Sequence, residues 1–394
     1  MDIENIIDSS KQRVKPRRRK GEGSISKKAN GTYIGRISIS GYDPFTCVGS
    51  TEKEVQKKMD AFKKQALKEE VIPQKIFVRD FIKEWMLTVK KPSLKPASYD
   101  RVERTFENHI ENSPVGRCQL GNVTSRDIQQ LINSKTETLS YSSIKKIYEL
   151  LNSCFTYAVV NRQLSFNPVA AVQLPKQENL AKQPKGIQTF SGEELERIEE
   201  LMEVTYSTGN ARYKHAAFFI LLANTGLRAG EALALTWDNV DLNRRLIYVR
   251  KNASCVKNRE GNGKKYKIII TTVKTKCGNR VIPLNDKAMM ALWWLKRNQD
   301  ENHIVSKYVD CTENGDILSQ KNLPKILKDL LKAAEVPYKN VHSFRHTFAT
   351  NLIESGVDVK VVSQLLGHSS VKVTYDIYVH PKIDQAVDAV NRLM

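Results

Sequence analysis

The spacing of apolar positions changes period along the chain, and those changes divide it. In TYIGRISIS, Tyr33, Ile37 and Ile39 share one face and Ile34, Arg36 and Ser38 the other, the two-residue period of a half-buried strand. GSISKK precedes it across Asn30-Gly31, a pair that favours a type I′ hairpin turn. FTCVGS supplies a third strand ending at Thr51, where Thr51 and Glu54 form a capping box for the Lys-rich helix EKEVQKKMDAFKKQALK. From residue 75 to 175 the period is helical. Tyr99, Val102, Phe106 and Ile110 follow it, then Ile144, Ile147, Tyr148, Leu151, Phe155 and Ala158 along a long helix capped near Ser140. The aromatic residues of this stretch read as core.

The polar segment KQENLAKQPKGIQ, with Pro184 and Gly186, reads as a linker. Ser191 and Glu194 box the following helix, SGEELERIEELMEV. Further on, IIITTV and NRVIPL read as strands joined by a turn at TKCGN. HSFRHTFATNLIES is a helix stopped by Gly356, and VDVKVVSQLLGH a helix stopped by Gly367. Ile383, Ala386, Val387 and Val390 form a last apolar stripe at helical spacing. The pattern predicts a multidomain chain. Residues 1–72 would be a leader and a small α+β unit of three strands and one helix, residues 75–180 an all-α unit, and residues 188–394 a mostly α unit with a small β-sheet.

Charge adds a partner to this picture. The 394 residues carry a formal net charge of +20, which implies an anionic partner, nucleic acid or a membrane surface. No run of 18 apolar residues exists to span a bilayer, and MDIENIIDSS lacks the layout of a signal peptide, so nucleic acid and a cytoplasmic location are expected. Residues 11–20, KQRVKPRRRK, hold seven basic groups. This is a solvated tail in the free protein or an arm that orders on phosphates, and the two readings are compatible. The six cysteines are too far apart in sequence for a Cys-pair zinc motif and suggest a reduced protein. No metal and no cofactor is expected.

The chemistry lies in the last third. NTGLRAGE contributes Arg228 and, three residues on, Glu231, placed to orient it; alone, this would be an ordinary surface pair. TVKTKCGNRVIPL contributes Lys274, with Lys276 as competitor. HSFRH sets His342 and Arg345 three apart on one helix face, with His346 as a packing or structural residue. LLGHSS leaves His368 just past a helix stop, and TYDIYVH offers Tyr378, with Tyr375 one turn earlier. Arginines fork onto phosphate oxygens, a histidine near neutrality shuttles protons, and a tyrosine hydroxyl can attack phosphorus.

In this order the motifs resemble the tyrosine recombinase family, the integrases of temperate phages and conjugative transposons: an Arg heading a helix, a Lys on a hairpin, HxxR, GH, then YxH. The resemblance implies Arg228, Lys274, His342, Arg345, His368 and Tyr378 as catalytic residues, Glu231 in support, and no metal. It selects Tyr378 by the YxH pattern with His380. The TKT-type register and the distance to Pro283 favour Lys274, the family's general acid. It implies a core-binding, SAM-like helical domain and an arm-binding domain contacting DNA through Arg17, Arg18, Arg19, Lys20, Lys27, Lys28 and Arg36. Double-stranded DNA at core and arm sites, a homotetramer linked through the C-terminal helix and an excisionase-type accessory protein are the implied partners. The implied activity is integration and excision of a mobile element through a 3′-phosphotyrosine and a Holliday junction. A type IB topoisomerase-like strand transferase, a non-catalytic DNA-binding protein and a metal nuclease are the rivals.

Overall fold

The computed structural model describes residues 23–39, 44–68, 76–183, 186–261, 263–273, 276–378 and 391. The leader with Arg17, Arg18, Arg19 and Lys20, the lysine Lys274, and the tail stripe Ile383, Ala386, Val387 and Val390 lie outside the described residues. The chain forms two compact units, residues 1–184 and 185–394.

The first unit opens with the antiparallel strands β1 (Ser24–Lys27), β2 (Tyr33–Ile37) and β3 (Phe45–Gly49), in that order. Register pairs Ser24 with Arg36 and Arg36 with Thr46. The first turn is not the expected type I′, which needs two residues at positive φ. Only Gly31, at φ 85°, is left-handed. Gly31 N donates to Lys28 O (3.0 Å) and Lys28 N to Thr32 O (2.7 Å), while the Asn30 side chain accepts from Thr32 N. This is a type I turn closed by a left-handed glycine. Helix α1 (Glu52–Lys68) covers the face carrying Gly35, where an added Cβ would stand 2.4 Å from Val55 and 2.5 Å from Met59. Ile37, Cys47, Val55 and Met59 make a small core there, and Phe45 stacks on Phe62 at 4.4 Å. Lys27, Lys28 and Arg36 remain exposed.

The helices α2 (Val78–Trp85), α3 (Pro96–His109), α4 (Ser125–Asn133) and α5 (Tyr141–Val160) build a second core, which shares no residue with the first. Phe106, Ile110, Ile147, Leu151 and Phe155 are buried in it, as their spacing predicts. Each such side chain contributes about 1.5–3 kcal/mol. Leu180 is buried in the same core, so the polar segment is anchored at its beginning.

In the second unit, Ser191 and Glu194 complete a capping box on α6 (Gly192–Glu200). Helix α7 (Ala216–Thr225), AAFFILLANT, is buried on nine of its ten positions, so it is wrapped on every side. The short α8 (Ala229–Leu233) follows. Strands β4 (Val240–Asp241), β5 (Leu246–Val249), β6 (Lys251–Lys257), β7 (Tyr266–Thr272) and β8 (Arg280–Pro283) come next. Helices α9 (Asp286–Glu301), α10 (Leu323–Ala333), α11 (His342–Glu354), α12 (Val359–Leu366) and α13 (Val371–Tyr378) complete the unit. Phe344 of α11 stacks between Phe190 and Phe219 at 4.3 and 5.4 Å, and Phe190 N donates to Thr347 Oγ1 (2.8 Å). The polar segment is thereby fastened to α11 at its far side.

The strand pairing corrects one expectation. IIITTV and NRVIPL do not pair across a TKCGN turn. β7 pairs with β6 from Lys257↔Tyr266 to Lys251↔Thr272, and β8 pairs with β5. The chain reverses between Lys257 and Tyr266, where Gly261 and Gly263 take positive φ. The segment between β7 and β8 is an excursion in the returning arm, not a hairpin tip.

Candidate active site

Two helices end in left-handed glycines, α7 at Gly226 (φ 61°) and α12 at Gly367 (φ 67°), and arginines gather on the carbonyls left there. Arg345 is buried, with 2% of its surface exposed, and donates through Nη1 to Gly226 O (2.8 Å) and through Nη2 to Leu366 O (2.7 Å). Arg280 Nε donates to Leu365 O (2.6 Å), and Arg228 Nη2 to Gly367 O (3.2 Å). Three consecutive carbonyls of one helix end thus hold three guanidiniums. The partial negative charge of a helix C-terminus favours this arrangement.

Glu231 is the carboxylate among them. Arg228 Nη1 donates to its Oε1 (2.8 Å), and its Oε2 caps α8 by accepting from Arg228 N (2.9 Å). Arg280 forks onto both oxygens, at 3.2 and 2.8 Å. Burial alone would raise the Glu231 pKa, but the hydrogen bond and charge of Arg280, then Arg228, hold it below the usual value. Arg345 is pushed down to about 9, by burial first and then by Arg228. Arg228 is the most open of the three, its side chain 39% exposed.

Three histidines and Tyr378 complete the cluster. The His342 and His346 rings meet edge to face at 4.6 Å. His346 Nδ1 lies 2.7 Å from Tyr378 Oη. His368 Nδ1 lies 2.8 Å from Oγ1 of the buried Thr374, which ties the residue after Gly367 to α13. The Tyr378 ring packs beside the small core of Ala349, Val362 and Leu366, whereas Tyr375 is 54% exposed. The His342 pKa is pushed down to about 4 by burial, then by His346, Arg345 and Arg228, although the residue as a whole is exposed. His368 falls to about 4 through burial, then Arg345, Arg228 and Arg280. Both shifts run downward, away from the neutral range expected for His342. Burial raises the Tyr378 pKa, and Arg345 opposes it.

The structure therefore brings Arg228, Glu231, His342, Arg345, His368 and Tyr378 together. Lys274, which follows β7 in sequence, lies outside the described residues. Lys27, Lys28 and Arg36 belong to the N-terminal sheet and are not part of this cluster. Among the described residues, no group of three or more His, Cys, Asp or Glu side chains is placed to hold a metal ion. All six cysteines are free, and no described helix is long and apolar enough to cross a membrane.

Sequence reading missed Arg280 and Thr374 and gave His346 only a structural role. Arg280 left one signal: it shares strand parity with Ile282, so its side chain had to face inward. His346 was expected to pack or bond structurally, and its partner is the candidate nucleophile.

Residues 191–384 match the model of the phage integrase family, and residues 77–136 that of the phage integrase N-terminal SAM-like domain. The chain is 32% identical over 337 residues to the tyrosine recombinase XerC-like protein of Caldanaerobacter subterraneus subsp. tengcongensis, covering 81% of this chain and 83% of that one. It belongs to the phage integrase family, the tyrosine recombinases. This recombinase is a DNA strand transferase. It is also 27% identical over 381 residues to the ICEBs1 integrase of Bacillus subtilis, covering 91% of this chain and 95% of that one. Its fold matches the Tn1549 transposon integrase in complex with a circular intermediate DNA, with a TM-score of 0.64 at 22% identity over 81% of this chain and all of that one. These relatives do not favour the topoisomerase or the non-catalytic reading.

Proposed function

We propose that this recombinase integrates and excises a mobile element, a conjugative transposon or prophage, in the cytoplasm, and that Tyr378 is its nucleophile. The observation that carries the site assignment is the excess of positive charge. Arg228 and Arg280 share one carboxylate, Glu231, whereas Arg345 donates only to backbone carbonyls. Such a cluster is completed by an anion, and a phosphodiester gains a second negative charge as it becomes pentacoordinate. Arg228 and Arg345 bind the non-bridging oxygens, joined by His342 and His368. Lys274 protonates the leaving 5′ oxygen. Tyr378 keeps the phosphate as a 3′-phosphotyrosine until the 5′ hydroxyl of another duplex displaces it. Two such rounds in a tetramer pass through a Holliday junction.

The likeness to the integrase named for ICEBs1 and to the Tn1549 transposon integrase supports the mobile-element reading. In that reading the domains are residues 1–72, which bind arm sites through the leader, Lys27, Lys28 and Arg36; residues 75–180, which bind the core site; and residues 188–394, which carry the chemistry. The C-terminal helix joins neighbouring protomers, and an excisionase-type protein sets direction. Nicked suicide DNA carrying a core site tests the assignment. The wild-type chain should form a covalent 3′ complex, and Tyr378→Phe should abolish it while binding DNA normally. Trapping that survives in Tyr378→Phe and vanishes in Tyr375→Phe would move the nucleophile one helical turn.

A further inference from the structure

Tyr378 does not meet His342, the expected proton shuttle, through a hydrogen bond in this structure; it meets His346. We propose that His346 takes the phenol proton as Tyr378 attacks the phosphodiester and returns it when the strand is rejoined. The proposal rests on the reading of Tyr378 as nucleophile.

Geometry carries the argument. The phenol has one proton to donate, and Nδ1 of His346 stands 2.7 Å from its oxygen, within the range a general base needs. Nδ1 must then present its lone pair, so the ring proton sits on Nε2. His346 lies one turn along α11 from His342 and next to Arg345, and α13 brings only the phenol to it among the contacts described. Those neighbours also keep the imidazole neutral. Burial and then the Arg345 charge hold its pKa below the usual value, so the lone pair is available at neutral pH. His342 feels Arg228 as well as Arg345, which suits a donor to phosphate oxygens better than a proton acceptor.

The step balances without a co-reactant. An oxygen lone pair of Tyr378 forms the bond to phosphorus, and the phosphorus–O5′ bond breaks. The phenol proton passes to Nδ1, giving an imidazolium beside the anionic phosphate. The leaving 5′ oxygen takes its proton from a different acid, Lys274 in the reading above. On rejoining, a 5′ hydroxyl attacks and gives its proton back to the deprotonated acid, the Lys274 amine in the same reading, the phosphorus–tyrosine bond breaks, and the imidazolium returns its proton to the phenol oxygen.

The test is single-turnover cleavage of nicked core-site DNA by the full chain. His346→Gln keeps a hydrogen-bond acceptor, the amide oxygen, but cannot hold a transferred proton. Its cleavage rate should fall about 100-fold or more with DNA binding retained. Replacing Tyr378 in that variant with a fluorinated tyrosine, whose phenol loses its proton more easily, should restore about tenfold or more, with little gain in the wild-type background. A residue that only positions the phenol predicts no such rescue. His346→Gln within about twofold of wild type, or slow without rescue, overturns the proposal. If His346→Gln fails to bind DNA, His346→Ala with added imidazole decides instead: recovered cleavage supports the assignment, and none overturns it. The Tyr378→Phe control separates the two readings. Persistent trapping there defeats the nucleophile assignment, whereas normal cleavage by His346→Gln beside an inert Tyr378→Phe defeats only the role of His346.

Discussion

Three guanidiniums and one carboxylate can share a buried pocket only if something else absorbs the remaining positive charge. Here the carbonyls at the end of α12 do so, and Glu231 is clasped between Arg228 and Arg280. Breaking a buried pair from one side leaves an uncompensated charge and costs about 3–5 kcal/mol. Arg280→Gln should therefore destabilise the chain by about that much in urea unfolding and slow cleavage, because Arg228 loses the fixed carboxylate that orients it. Arg280→Lys restores the charge but not the fork, so it should recover stability only in part. A loss below about 1 kcal/mol for Arg280→Gln would show that Glu231 does not depend on it. The histidines make a second prediction. His342 and His368 have folded pKa values near 4, below the ordinary 6.5, so between those values the unfolded chain binds more protons than the folded one. Their contribution is fully present above pH 6.5 and is lost as pH falls toward 4, so melting temperature should drop across that window, and replacing both with Gln should flatten the drop. A DNA phosphate should reverse part of the effect by favouring the imidazolium forms. Sequence pointed to Arg228 and Glu231 because they are three apart on one helix. It could not pair Glu231 with Arg280, or His346 with Tyr378, because the partners are 49 and 32 residues apart and meet only through the fold.

At the scale of elements, the helix ends matter more than the helices. Gly356 and Gly367 both stop a helix in the left-handed region, and sequence marked both as stops. They differ in what surrounds them. A Cβ on Gly356 meets nothing within 4 Å, whereas one on Gly367 would stand 2.9 Å from Cys277 O and 3.0 Å from Arg280 Nη1. Gly367 is thus where Cys277, the arginine cluster and His368 come together. Each Gly→Ala change should cost about 1–2 kcal/mol for the left-handed backbone. Gly356→Ala should stop there and cleave suicide DNA normally. Gly367→Ala should lose more stability and most of its cleavage, since neither a backbone carbonyl nor a paired guanidinium can easily yield. Equal cleavage by the two variants would mean that the Gly367 contact is not part of the working site. The same elements show where periodicity stops informing. The capping box on α6 and the core stripe of α5 depend on neighbours in sequence and were legible. The partner of β7 depends on register across the molecule. Two strands flanking a Gly-containing turn look like a hairpin, although β5 and β6 together make the longer arm that β8 and β7 answer.

For the whole molecule, the separation of cores matches the separation of tasks proposed above. The N-terminal sheet and α1 close on Ile37, Cys47, Val55 and Met59, and the helical core that begins at Val78 shares none of them. Removing residues 1–72 should therefore leave the helical and catalytic cores intact. It would also remove the seven basic groups of residues 11–20 together with Lys27, Lys28 and Arg36. Affinity that comes from phosphate neutralisation varies with salt, by about 0.9 in log–log slope for each phosphate contact on duplex DNA. If these residues read arm sites, the truncated chain should cleave core-site suicide DNA at close to the full-length rate. Its binding to arm DNA should fall to the non-specific level with a shallower salt dependence. Its salt slope on core DNA should be unchanged if, as proposed, the core-site contacts lie in residues 75–180 and 188–394. A competition titration over a range of salt, with arm and core duplexes of equal length, measures both slopes at once. Equal losses on the two DNAs would mean that the basic leader acts as a general anchor, and that the sheet is not a separate reader of the element's ends.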